Sequence, residues 1–225
     1  MTMTDVYLEI GEKKVLAGAV EWPGWQRGGR DEALALQALF DYAPRYEAVM
    51  RLAGLVFQPP QDLTAVRVVE RLDGNSSTDF GVPGRAPAAD DRPLDDAGLA
   101  GLRRFLEACW AAFDRAASAA VGKELRKGPR GGGRDLDKII WHVVGAEAGY
   151  LGKLGVKIKV DESGDQRTEQ ARVREAILSA LDLDVLAQLP PTGPRGGARW
   201  SARYFVRRTA WHDLDHAWEI EDRIL

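Results

Sequence analysis

Histidine occurs three times in the 225-residue chain, at His142, His212 and His216, and two of the three stand four residues apart. In the run Trp211-His212-Asp213-Leu214-Asp215-His216 a helix would set both imidazoles one turn apart on one face, within reach of a single cation. A third imidazole from another element would give three neutral nitrogen donors. Such a set leaves a divalent ion open to water or substrate, as in catalytic rather than closed structural sites. No Glu follows His212, so the H-E-x-x-H metalloprotease signature is absent and its built-in base with it. A single cysteine, Cys109, excludes an intrachain disulfide and a thiolate-rich zinc site, so a metal here would rest on imidazole and carboxylate. Zinc suits three imidazoles; ligand type alone also admits nickel, iron and copper, and zinc or nickel is the expectation. Cys109 itself, in Phe105-Leu106-Glu107-Ala108-Cys109-Trp110, reads as a small core residue rather than a nucleophile.

Two helices must bring these imidazoles together. Residues 199–224 contain no Pro or Gly, and Ala202, Phe205, Thr209, His212, His216 and Glu219 recur at helical spacing, which places both histidines on the Phe205 face. Tyr204, Trp211 and Trp218 repeat every seven residues as a second stripe suited to packing on a neighbouring helix. Around the third histidine, Asp135-Leu136-Asp137-Lys138-Ile139-Ile140-Trp141-His142-Val143-Val144 opens with acids suited to a helix N-terminus and continues apolar on most faces. Gly145 and Gly149 share the His142 face, where they allow close approach or leave space for a ligand.

The block Trp141-His142-Val143-Val144-Gly145-Ala146-Glu147, followed some 70 residues on by His212-Asp213-Leu214-Asp215-His216, resembles the DinB/YfiT-like superfamily of four-helix bundles. The resemblance implies an up-down bundle over residues 94–225, with helices near 94–121, 135–151, 168–188 and 199–224, and one divalent metal held by His142, His212 and His216. It implies an acid at Glu147, expected to pair with Arg207 or Arg208 or to support an imidazole, as Asp213 and Asp215 are also expected to do. Where many members carry Gln three residues after the last histidine, this chain has Glu219, which could serve as a fourth ligand, an orienting partner or a catalytic general base. Members include metal-dependent hydrolases and transferases that use low-molecular-weight thiols. The expected activity is therefore hydrolysis by a metal-activated water, or thiol-dependent transfer, on a small-molecule substrate. The alternative is a non-catalytic interaction module with a structural or vestigial metal. Family bundles commonly pair as homodimers.

Ahead of the bundle, residues 6–10 and 15–20 read as a β-hairpin, residues 31–40 as a helix that Pro44 kinks or restarts before Leu52, and residues 65–72 as a further strand. The fold class is thus α+β: a ββα(β) module over 1–73, a breaker-rich linker over 74–93, then the bundle. The stretch through Trp22-Pro23-Gly24-Trp25 to Asp31-Glu32-Ala33-Leu34 resembles the N-terminal module of HicB-like antitoxins, which implies a module that docks a protein partner or covers a substrate. Basic residues crowd the loop Gly128-Pro129-Arg130-Gly131-Gly132-Gly133-Arg134. It is no P-loop, but Arg130 and Arg134 could grip an anionic cofactor or substrate at the bundle mouth. Net charge is −3, from 34 acidic against 31 basic residues, so no global positive field draws nucleic acid or an anionic membrane. No apolar run spans a bilayer and the first five residues lack a signal-peptide pattern, so the expected compartment is the cytoplasm.

Overall fold

The computed structural model describes residues 3–127, 133–185, 188–190, 192–193 and 196–225. The chain is α+β and divides into two compact units, Met1–Arg92 and Pro93–Leu225.

The first unit is built on β1 (Thr4–Ile10), β2 (Val15–Ala19), β3 (Gln26–Gly29) and β4 (Val66–Asp73), in the spatial order β3-β2-β1-β4. Gly11-Glu12-Lys13-Lys14 turns β1 back on β2 in antiparallel register, with Ile10 opposite Val15 and Val6 opposite Ala19. β4 lies parallel to β1, which requires a crossover. That crossover is formed by α1 (Glu32–Asp41) and α2 (Ala43–Leu52). Asp31 caps α1 by accepting from the Leu34 amide at 2.8 Å, and Pro44 stands in the first turn of α2, where its missing N–H costs no helical bond. Trp25 stacks on Tyr46 of α2, and Phe57 stands edge-on to both, with ring centres 4.9–5.8 Å apart.

Two expectations are corrected here. Gln26–Gly29 is a strand, although Gln-Arg-Gly-Gly carries no β-prone residue. Its glycines serve packing: a Cβ on Gly29 would come within 2.3 Å of the Ala35 nitrogen, so α1 lies directly on this backbone. Residues 74–92 are not a linker. Asn75 caps a short helix, α3 (Ser76–Phe80), in a capping box with Thr78. The Thr78 hydroxyl then donates to the fully buried Glu9 of β1, whose carboxylate also accepts from the Gly84 and Arg85 amides at 2.9 and 3.3 Å. Burial pushes the Glu9 carboxyl up, and these donors oppose that shift. Replacing Thr78 by Val should cost about 1–3 kcal/mol in urea unfolding, because a buried carboxylate loses its hydroxyl donor, and Thr78→Ser should retain most of the stability. A loss in Thr78→Val too small to measure would show that the two amides suffice.

The second unit consists of α4 (Asp96–Ala120), α5 (Leu136–Leu154), α6 (Gln166–Val185) and α7 (Ala202–Arg223). Asp95, Asp135 and Ser201 cap three of the helices through their side-chain oxygens, and Gly155 ends α5 in the left-handed region at φ 103°. α7 packs along α4 and α5, and α5 packs along α6. One apolar cluster gathers Leu106, Trp110, Val144, Leu151, Ile177, Leu181 and Phe205; a second gathers Phe113, Ile139, Val143, Ala217 and Ile220. Between Phe205 and Ile220, α7 buries Arg208, Thr209, His212, Asp213 and His216. Polar groups held this deep need partners or a use. No described helix is long and apolar enough to cross a membrane.

Candidate functional site

The second unit brings the three histidines together. His142 is presented by α5, and His212 and His216 by successive turns of α7. The ring centres of His212 and His216 lie 4.6 Å apart, those of His142 and His216 4.9 Å, and those of His142 and His212 5.1 Å. One nitrogen from each ring lies within 4.8 Å of the others, and the Nε2 atoms of His142 and His212 approach to 3.3 Å. His212 and His216 are buried, and His142 is half-buried.

The surroundings keep lone pairs available. Burial pushes His142 down to about 4, helped by the neighbouring His216 and Arg134 and opposed by Glu219. Burial also holds His212 well below the usual imidazole range, with His216 and Arg208 adding to the effect. Both rings are therefore neutral at pH 7, the form in which imidazole can bind a cation. On the third ring, Nδ1 donates to Glu219 Oε2 at 2.7 Å, which leaves Nε2 of His216 as its donor toward a cation. The hydrogen bond from His216 holds the Glu219 carboxyl below its usual range against burial. Its other oxygen accepts from Arg223 Nη1, and Arg223 also donates to the backbone carbonyls of Arg134 and Arg126 at 2.9 and 2.8 Å. Both Glu219 oxygens are thus engaged. This suits an orienting partner for His216 better than a fourth ligand or a free base.

The other anticipated residues are distributed differently. Glu147 is fully buried and pairs with neither Arg207 nor Arg208. Its partner is Arg174 of α6, whose Nε donates to it at 3.2 Å while Nη1 donates to Asp114 of α4 at 2.8 Å. A residue read on one helix cannot announce which neighbouring helix will face it. Asp213 does not support an imidazole, since neither of its oxygens has a hydrogen-bond partner among the described residues. Burial, reinforced by the nearby Glu147, holds its carboxyl far above the usual range. Asp215 is half-buried on α7, about 100° round the helix from His216. Arg134 is exposed, yet its charge lowers both His142 and His212. Arg130 lies outside the described residues.

Beside the imidazoles stand Tyr150, which the sequence did not single out, and Arg208, which was expected only as a partner for Glu147. The Tyr150 ring stands edge-on to His212 with centres 5.7 Å apart, and the Arg208 guanidinium carbon lies 4.8 Å from the Tyr150 ring centre and 4.6 Å from that of Trp211. Helical spacing carried the signal, since Arg208 falls four residues before His212 and Tyr150 eight after His142. Beside them a Cβ on Gly145 or Gly149 would meet nothing within 4 Å, so this face of α5 is open. Two turns along from His142, a cavity of about 310 Å³ is lined by Gly149, Gly152, Lys153, Lys157, Gly193 and Gly197. Comparison with family models, curated proteins and solved structures finds no match for this chain.

Proposed function

We propose that the second unit is a DinB-like four-helix bundle in which His142, His212 and His216 hold one divalent metal ion, zinc or nickel, and that the protein is a metal-dependent enzyme. The observation that carries this reading is the 3.3 Å between the Nε2 atoms of His142 and His212. Two zinc–nitrogen bonds of about 2.0–2.1 Å at a tetrahedral angle span roughly 3.3–3.4 Å. Two imidazoles held neutral by burial and a third fixed in orientation by Glu219 form a donor set that suits such an ion. When bound, the ion would supply Lewis-acid activation to a small substrate or a low-molecular-weight thiol. The chain's part is to exclude competing carboxylates from the donor set, to hold the Nδ1 proton of His216, and to leave room beside Gly145 and Gly149 for the reacting molecule. Hydrolysis and thiol-dependent transfer are the two reactions this arrangement supports. In the first unit, the passage from three antiparallel strands into a helix opening at Asp31-Glu32-Ala33-Leu34 supports a HicB-like docking module for a protein partner.

The test is metal content by inductively coupled plasma mass spectrometry on untagged protein. Wild type should carry close to one zinc or nickel per chain, and His142→Ala and His212→Ala should bind it more than 100-fold more weakly, beyond the effect of losing an outer partner. Wild type that takes up no metal even after reconstitution would sink the reading. Replacing Glu219 by Gln should weaken metal binding by about 10–100-fold in competition with a chromophoric chelator, since the acid that orients His216 is outside the donor set. A loss as complete as that of His142→Ala would instead make Glu219 a ligand.

A further inference from the structure

Arg208 is a buried cation with no anion in hydrogen-bond contact among the described residues. Its side chain is 7% exposed on α7, one turn before His212. Nη1 of its guanidinium is fully covered and has no hydrogen-bond acceptor among the described residues. Other buried arginines of this unit are engaged: Arg174 donates to Glu147 and Asp114, and Arg223 to Glu219 and two carbonyls. Asp213, the nearby acid on the same helix, leaves both its oxygens unpartnered rather than reaching Arg208. The rings of Tyr150 and Trp211 lie 4.8 and 4.6 Å from the guanidinium carbon. Aromatic rings can stabilise the faces of a guanidinium, but they accept none of its in-plane N–H bonds, and buried donors left unmet are costly.

We propose that Arg208 is the recognition point for an anionic group, a carboxylate or phosphate, on the molecule that occupies the three-histidine centre. The guanidinium fork matches such a group with paired hydrogen bonds, and the aromatic rings hold the fork in place. Tyr150 links the two points, since its ring lies against both Arg208 and His212. Gly145 and Gly149 leave the space a small molecule needs along the facing helix. The substrate class is then a small anionic compound whose charged group is anchored on Arg208 while its reacting group faces the imidazoles. This inference rests on the metal reading for the second anchor.

The two can fail separately in one experiment. Protein loaded with cobalt(II) is titrated with 3-mercaptopropionate and, in parallel, with uncharged 2-mercaptoethanol, and thiolate binding is read from the near-ultraviolet thiolate-to-cobalt absorption. Wild type should bind the carboxylated thiol at least tenfold more tightly, and inorganic phosphate should compete with it. In Arg208→Met the ratio between the thiols should fall to about one, and Arg208→Lys should restore part of it. The visible cobalt bands report whether metal is retained in each variant. Cobalt retained by wild type with no preference between the thiols overturns the assignment of Arg208 and leaves the metal reading standing. Cobalt not retained by wild type overturns both. Should Arg208→Met fail to fold, the wild-type ratio and its erosion in Arg208→Lys still decide the matter.

Discussion

Arg174→Leu is expected to destabilise the protein by about 3–5 kcal/mol at pH 8 and by distinctly less at pH 5. Arg174 is 9% exposed on α6 and is the cation that binds the fully buried Glu147 while also gripping Asp114. Burial pushes the Glu147 carboxyl up to about 7, and the attraction and hydrogen bond of Arg174 are what oppose burial. Because the folded-state pKa lies above the unfolded value, the folded chain binds more protons between about pH 4.5 and 7, so stability falls as pH rises through that window. Without Arg174 the carboxyl moves further up, the falling limb extends to higher pH, and the variant loses most where wild type has already ionised Glu147. Urea unfolding at the two pH values measures this directly. Adding Glu147→Gln to Arg174→Leu should recover part of the loss at pH 8, because the group that had to be charged or protonated is gone. An equal loss at both pH values, unaffected by Glu147→Gln, would mean that Arg174 acts through packing against Trp110, whose ring centre lies 5.1 Å from its guanidinium carbon.

The parts legible in the sequence were those governed by local rules. Helical periodicity located α5 and α7 to within a few residues, with Asp135 doing locally what an N-cap does, and the resemblance to a four-helix bundle supplied the spans of α4 and α6. The proximity of His212 and His216 followed from helical geometry, and their rarity made His142 the natural third. What was not legible depended on contacts distant in sequence. β3 exists because β2 pairs with it and α1 needs glycine backbone beneath it, and neither fact shows in Gln-Arg-Gly-Gly. Residues 74–92 look like a linker because they are rich in Gly, Pro and Asp. They are ordered by Glu9, an acid on β1 whose need for donors cannot be read from its own strand. Glu147 was expected to face Arg207, Arg208 or an imidazole and Asp213 to support an imidazole, but the facing helix α6 gives Glu147 its partner in Arg174, and Asp213 is buried without a hydrogen-bond partner among the described residues. Arg208 was read only as a possible partner for Glu147, for a related reason. A buried arginine draws attention only once its lack of an anion can be seen.

Zinc at about a thousand times its dissociation constant should raise stability by about 4 kcal/mol, which for a chain of this size is a rise in Tm of roughly 10 °C. The size of the effect depends on what the unfolded chain can still bind. His212 and His216 are four residues apart and keep some joint affinity for a metal without any fold, whereas His142 joins them only when α5 packs on α7. Binding by all three imidazoles is therefore specific to the folded state, and only that share of the affinity appears as stabilisation. His142→Ala should abolish nearly the whole shift although the pair on α7 survives, and excess chelator should return wild type to the Tm of the metal-free protein. Scanning calorimetry with and without zinc, on untagged protein, gives both numbers. A shift retained by His142→Ala would place the metal on the α7 pair alone and break the link between α5 and α7. No shift in wild type would leave the 3.3 Å approach of two imidazoles as a hydrogen bond between His142 and His212, one ring donating and the other accepting.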